Sequence, residues 1–106
     1  MQYIYLLRTR EFIRLDENIY KIGKTTQEPN NRLKGYSEII YIISVKNCHE
    51  TEQLCINKFK DEYVQKREYG IEYFEGNVKD MIKTINSILN IKNDIKNTKM
   101  ILKIQK

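Results

Sequence analysis

Glu52 is the residue of this 106-residue chain whose position most directly points to chemistry. An isolated buried charge is too costly, so a carboxylate on an apolar helix face must be paired, hydrogen-bonded or bound to a metal. Residues 48–64 predict a helix, and at 100° per residue Glu52 lies in the middle of its apolar stripe. That stripe consists of Cys48, Cys55, Ile56, Phe59 and Tyr63.

Two tyrosine-bearing segments near the start of the chain form the second feature. Tyr3-Ile4-Tyr5 and the segment from Tyr20 to Thr25 are both apolar and aromatic, which is typical of strands. The second segment reads Tyr-Lys-Ile-Gly-Lys-Thr, so its apolar part ends at Gly23. A short helix bearing Arg32 is expected to follow it.

Composition limits the class of protein. The net charge of +5 and pI near 9.2 suit a polyanionic partner without identifying one. The composition, rich in Lys, Ile and Asn, hints at the AT-rich genome of a phage or large DNA virus. Cys48 and Cys55 are too far apart along one helix for a disulfide, which favours reduced thiols. With no signal peptide and no long apolar run, we expect an intracellular domain, in the cytoplasm or nucleus of a host, with no membrane partner.

The first half of the chain predicts two strands and a helix. Residues 2–8 and 19–24 should pair as antiparallel strands. Residues 9–18 should form the connection between them, in which Phe12-Ile13 could extend a strand. Pro29 suits the first turn of a helix that should run to Lys34 and stop at Gly35.

The second half predicts a third strand and two further helices. Residues 38–45 are nearly all apolar, which favours a central strand covered on both faces. After the helix at 48–64, residues 72–74 should be short and extended, and residues 78–89 form an amphipathic helix. The fold class is therefore α+β, with a small three-stranded antiparallel sheet flanked by helices and a C-terminal helical extension. We expect one domain over residues 1–90 and a helical or flexible tail over 91–106.

The order of these elements resembles the GIY-YIG nuclease superfamily. The similarity is to the divergent branch from phages and large DNA viruses, in which Lys-Ile-Gly stands in the second motif, and it covers roughly residues 3–74. It implies a metal-dependent endonuclease that hydrolyses phosphodiester bonds of DNA. Tyr5 matches the tyrosine of the first motif and Gly23 the glycine of the second. Lys21 takes the tyrosine position of that second motif, and Tyr20 is displaced to the opposite strand face.

The same resemblance assigns roles to the remaining candidates. Arg32 matches a helical arginine that would hold two oxygens of a phosphate. Glu52 matches the metal-binding glutamate, and one carboxylate with waters and substrate phosphate is a normal shell for Mg²⁺ or Mn²⁺. Tyr5 or Tyr36 would act as general base, because nearby positive charge favours the phenolate. The residues expected to contact nucleic acid are Lys21, Lys24 and Lys34.

Other interpretations stay open at this level. A glutamate on an apolar stripe can be held in an ion pair, for example by Arg32, and His49 is typical of a surface residue at a helix N-terminus. Lys21 in the tyrosine position suggests a nucleic-acid-binding module of the same fold without catalysis. A further class is an interaction protein, in which the tail over residues 91–106 forms a homodimer.

Overall fold

The structure, a computed structural model, describes residues 1–27 and 37–96, with side chains up to residue 90. The helix predicted over 29–34 lies outside the described residues, and so do Arg32, Lys34 and Tyr36. The described elements are β1 (Gln2–Thr9), α1 (Arg10–Arg14), β2 (Ile19–Thr25), β3 (Ser37–Val45), α2 (Cys48–Glu62), β4 (Val64–Gln65), β5 (Tyr73–Glu75) and α3 (Val78–Lys96).

The α+β class is confirmed, but the sheet has five antiparallel strands and not the predicted three. Their order is β3-β1-β2-β5-β4. The two additional strands are two and three residues long, too short for an alternation of apolar and polar residues to reveal them. β5 pairs with the first three residues of β2, from Ile19 to Lys21, so the extended segment predicted at residues 72–74 belongs to the sheet.

Among the described strands, β3 lies at an edge of the sheet, although its apolar run predicts a central strand. The strand between β2 and β3 is β1, in which Ile4 and Leu6 are fully buried. Most residues of β3 are only half-buried, and its pairing with β1 shifts register between Leu6 and Leu7. An apolar run indicates that a strand is covered, but it does not specify which neighbours pair with it.

Alternation along the strands gives the sheet two distinct faces. On the helix-covered face, Ile4, Leu6 and Ile22 pack in one core cluster with residues of α2 and α3. The opposite face, which we call the tyrosine face, is formed by β1 residues Tyr3, Tyr5 and Leu7 with their β2 partners Thr25, Gly23 and Lys21. Each predicted site residue of the first two strands therefore belongs to one face or the other.

Residues 10–14 form the short helix α1, where the sequence predicts a connection or a strand extension. The Phe12 side chain of α1 is buried, and its ring centroid lies 4.9 Å from that of Tyr69 and 6.2 Å from that of Tyr73. Arg8 holds the following loop, because its Nε donates to the Glu17 carbonyl at 3.0 Å. Five residues are too few for a helical period to appear in the sequence, so the pattern could not predict this helix. The contacts of Phe12 with Tyr69 and Tyr73, distant in the chain, pack it against the rest of the domain.

The helices α2 and α3 cover one face of the sheet. α2 begins after Asn47, whose side chain accepts a hydrogen bond from the backbone N–H of Glu50. α3 buries Met81 and Ile85 completely and continues past residue 90 to Lys96. The predicted boundary between a domain over residues 1–90 and a tail over 91–106 stays a prediction. Residues 97–106 of that tail lie outside the described part. No helix in the described part is long and apolar enough to span a membrane.

Candidate functional site

Glu52 lies in the second turn of α2 and is held in an ion pair. Its side chain is 11% exposed, and its Oε1 lies 3.2 Å from Lys24 Nζ. A carboxylate so far removed from water needs a compensating charge, and Lys24 provides it from the end of β2. The sequence suggested Arg32 as the partner in such a pair; within the described residues the partner is Lys24.

The ammonium of Lys24 also contacts His49, in the first turn of α2. The distance between Lys24 Nζ and His49 Nδ1 is 2.7 Å. An ammonium has only protons to donate, so Nδ1 is the acceptor in this contact. Sequence reasoning placed His49 on the surface and missed this contact. The sequence does contain a signal for it: residues at i and i+3 of a helix are neighbours, and His49 precedes Glu52 by three positions. That spacing predicts that the two side chains lie close together.

Tyr5 and Gly23 form the second part of the site, on the tyrosine face. They are directly opposite each other in the pairing of β1 with β2, and Tyr5 is 6% exposed. The phenol ring lies over Gly23 so closely that a Cβ on this residue would be 2.7 Å from Tyr5 Cε1. Gly23 is therefore required by the close approach of the ring, which fixes the position of the Tyr5 side chain.

Gly23→Ala should lower the free energy of unfolding by about 1–3 kcal/mol, because overpacking forces the Tyr5 ring to move. Denaturation in urea measures the change. With Tyr5→Val in the background, the same substitution should cost much less, since the ring is gone. Gly76→Ala is the matched control, because its Cβ would lie 2.7 Å from Tyr63 Cδ1 and meet no predicted site residue. A Gly23→Ala cost that persists with Tyr5→Val would contradict this explanation.

The two second-motif candidates lie on opposite faces of β2, as strand alternation requires. Lys21 is on the tyrosine face, with Nζ 3.7 Å from Glu72 Oε2 and 5.9 Å from the centre of the Tyr73 ring. Tyr20 is 5% exposed in the core under the helices, with the Arg8 guanidinium 5.8 Å from its ring centroid. Lys21 thus shares a face with Tyr5, and Tyr20 does not.

The structure therefore brings the described candidates together in two groups. Lys24 and Glu52 meet with His49 on the helix-covered face, while Tyr5 and Lys21 lie with Gly23 on the tyrosine face. Gly23 and Lys24 are consecutive residues near the end of β2, so the two groups are neighbours along the strand but lie on opposite faces of the sheet.

The donor set at Glu52 is compatible with a divalent metal of the magnesium type. Within the described residues, no cluster of three or more His, Cys, Asp or Glu side chains forms a metal cage. Mg²⁺ does not need one, since it keeps several waters and takes one or two carboxylates with substrate phosphate. The Glu52 carboxylate already binds a cation, the ammonium of Lys24. The residues present therefore fit a site with a single protein carboxylate.

Comparison with known protein families gives a match over most of the chain. The T5orf172 domain family matches residues 2–89, from β1 through the first part of α3, and this stretch contains every predicted site residue. Comparisons with curated proteins and with solved structures find no match. A nuclease-like or DNA-binding role is consistent with this family. The chain belongs to the T5orf172 domain family, a family of phage-associated, nuclease-related domains.

Proposed function

We propose that this chain is a metal-dependent endonuclease of the GIY-YIG type that hydrolyses DNA phosphodiester bonds. The observation that supports it most is the burial of Glu52 beside Lys24 at the end of β2, one residue along the strand from Gly23, the partner of Tyr5. A structural ion pair gives little stability in such a position, since desolvation offsets the attraction. A buried carboxylate in a nuclease-related domain is better explained as a ligand for a catalytic cation.

Glu52 is the residue proposed to hold Mg²⁺ or Mn²⁺. When bound there, the metal would polarise the scissile phosphate and stabilise the leaving oxygen. Arg32, with its planar guanidinium, is proposed to hold two phosphate oxygens. Lys24 and Lys34 add positive charge for the DNA backbone, in a chain whose net charge is +5.

Tyr5 is the proposed general base, which takes a proton from the attacking water. A phenol acts as a base only when ionised, and positive charge nearby favours that form. Lys21 lies on the same face as Tyr5, two residues from Gly23 along β2. Gly23 lets the hydroxyl end of the ring approach the β2 backbone closely, so that the hydroxyl position is fixed before substrate binds.

A second candidate function is a catalytically inactive DNA-binding module of the same fold. Two contacts favour it: Lys21 stands in the tyrosine position and pairs with Glu72, and Lys24 neutralises Glu52. In this case the basic residues alone would bind the polyanion, with the strong salt dependence of phosphate contacts.

Nicking of supercoiled plasmid separates the two candidates. The full chain should convert supercoiled DNA to the nicked form with Mg²⁺ or Mn²⁺, and addition of EDTA should stop the reaction. Parallel reactions on single-stranded, duplex and branched DNA would define the preferred substrate. A chain that shifts DNA in a gel but cuts none of these substrates with any divalent metal is the binding module.

A further inference from the structure

We propose that Lys24 is an exchangeable counter-ion of Glu52 and that His49 positions it for the exchange. The ammonium neutralises Glu52 until a divalent cation binds there, and His49 then retains the ammonium beside the site. This inference rests on the proposed function, because it requires Glu52 to be the metal ligand. It adds a mode of regulation in which the protein's own cation competes with the metal.

The geometry places one ammonium between two acceptors of different exposure. Lys24 Nζ lies 3.2 Å from Glu52 Oε1 and 2.7 Å from His49 Nδ1. The Glu52 side chain is 11% exposed and that of Lys24 is 35% exposed, while His49 is exposed to solvent. The ammonium therefore bridges the buried carboxylate and an imidazole at the surface.

Competition follows from the charges. A divalent cation on Glu52 and the ammonium of Lys24 would lie within a few ångströms of each other, where like charges repel strongly. The Glu52 carboxylate also has only one negative charge, which cannot neutralise both cations. Each equivalent of metal bound must therefore displace the ammonium from Glu52, and removal of Lys24 must strengthen metal binding.

His49 gives the displaced ammonium a second partner. Its Nδ1 accepts one of the three ammonium protons, so the lysine can leave Glu52 without losing every hydrogen bond. The Lys24 side chain is 35% exposed, so a substrate phosphate can accept the remaining protons. Without His49, the ammonium has Glu52 as its main anchor and competes more effectively with the metal. His49 is thus a positioning residue that acts through Lys24.

Mn²⁺ binding by the full chain without DNA, measured by titration calorimetry, tests the exchange directly. Lys24→Met should bind Mn²⁺ about tenfold more tightly than the wild type, a normal size for coupling between two ligands. His49→Ala should bind it roughly threefold more weakly, in line with the loss of one hydrogen bond. His49→Asn keeps an acceptor near the position of Nδ1 and should bind Mn²⁺ as the wild type does.

The double variant Lys24→Met/His49→Ala distinguishes positioning from a separate effect of His49. It should match Lys24→Met alone, because His49 acts only through the lysine. An equal loss from His49→Ala in both backgrounds would overturn the role of His49. Since Lys24→Met leaves Glu52 without its partner, circular dichroism must show that it folds; if it does not, Lys24→Gln replaces it in every comparison.

Glu52→Gln separates failure of this inference from failure of the proposed function. Mn²⁺ binding that is unaffected by Glu52→Gln would remove Glu52 as the metal ligand, and the proposed function with it. Binding that requires Glu52 but is not tightened in Lys24→Met would overturn the exchange alone. Undetectable Mn²⁺ binding in both the wild type and Lys24→Met would also overturn the exchange, because removing the lysine would not have raised the affinity for Mn²⁺.

Discussion

Glu52→Gln should slow plasmid nicking by at least about a thousandfold and leave the protein folded. A divalent metal supplies several kcal/mol of charge stabilisation in the transition state, and each 1.36 kcal/mol is a factor of ten in rate. The amide has nearly the volume of the carboxylate, and its oxygen can still accept a hydrogen bond from Lys24. The loss should therefore lie in the chemical step and not in stability. Conversion of supercoiled to nicked plasmid at saturating Mn²⁺ measures the rate, with circular dichroism as the check on folding.

Glu50→Gln is the matched control for this substitution. It makes the same change on the same helix, at an exposed residue in the first turn of α2. We expect it to cut at nearly the wild-type rate. Equal cutting by wild type and Glu52→Gln would show that Glu52 does not hold the metal. If Glu50→Gln lost as much of the nicking rate, the negative charge of the helix in general would explain both losses, and Glu52 would not be a specific metal ligand.

The burial of Glu52 could be predicted from the sequence because a long helix gives a clear period. The predicted helix over residues 48–64 is α2, Cys48–Glu62, and the four stripe residues within it are buried, while Tyr63 is half-buried just after its end. Phe59 and Cys55 are both fully buried in it. Over fifteen residues the stripe repeats several times, so one polar residue within it stands out. The antiparallel pairing of β1 with β2 could be predicted for a different reason, because the two apolar segments are close in the chain.

The partner of Glu52 could not be found in the same way. Lys24 and His49 come from different elements, and the contact between them joins residues 25 positions apart. Periodicity describes one element at a time and contains no information on which strand end lies beside which helix. The same limit explains β3, whose apolar run predicts a strand but does not show that this strand lies at an edge of the sheet. It also explains β4 and β5, which are too short to show any period.

The second motif shows what strand alternation can decide without a structure. Neighbouring residues of a strand point to opposite faces, so Lys21 and Tyr20 cannot both lie on the face of Tyr5. The pairing of Lys21 with Leu7 and the burial of Tyr20 in the core agree with that rule. Of the two, only Lys21 is therefore on the face of Tyr5. β2 therefore contributes no tyrosine to that face, and its tyrosines from β1 are Tyr3 and Tyr5, of which Tyr5 is the proposed base.

Tyr5→Phe should slow cleavage by about 10²–10⁴-fold, the usual contribution of a positioned general base. The phenylalanine ring can keep the contact with Gly23, so only the hydroxyl is lost and folding should persist. The pH dependence supplies a readout that a packing role would not alter. The wild-type rate should rise with pH, because the base acts as phenolate, and Tyr5→Phe should remove that rise. Single-turnover nicking over a pH series measures both effects.

Tyr3→Phe and Tyr36→Phe decide whether the effect belongs to Tyr5. Tyr3 is half-buried on the same face of β1, two residues before Tyr5, so its variant removes a hydroxyl from the same surface. It should keep both the wild-type rate and the rise with pH. Tyr36 is the alternative base from the superfamily pattern. A flat pH profile in Tyr36→Phe, together with a normal profile in Tyr5→Phe, would transfer the role to Tyr36. Tyr5 would then be a packing residue, and its ring would account only for the need for glycine at position 23.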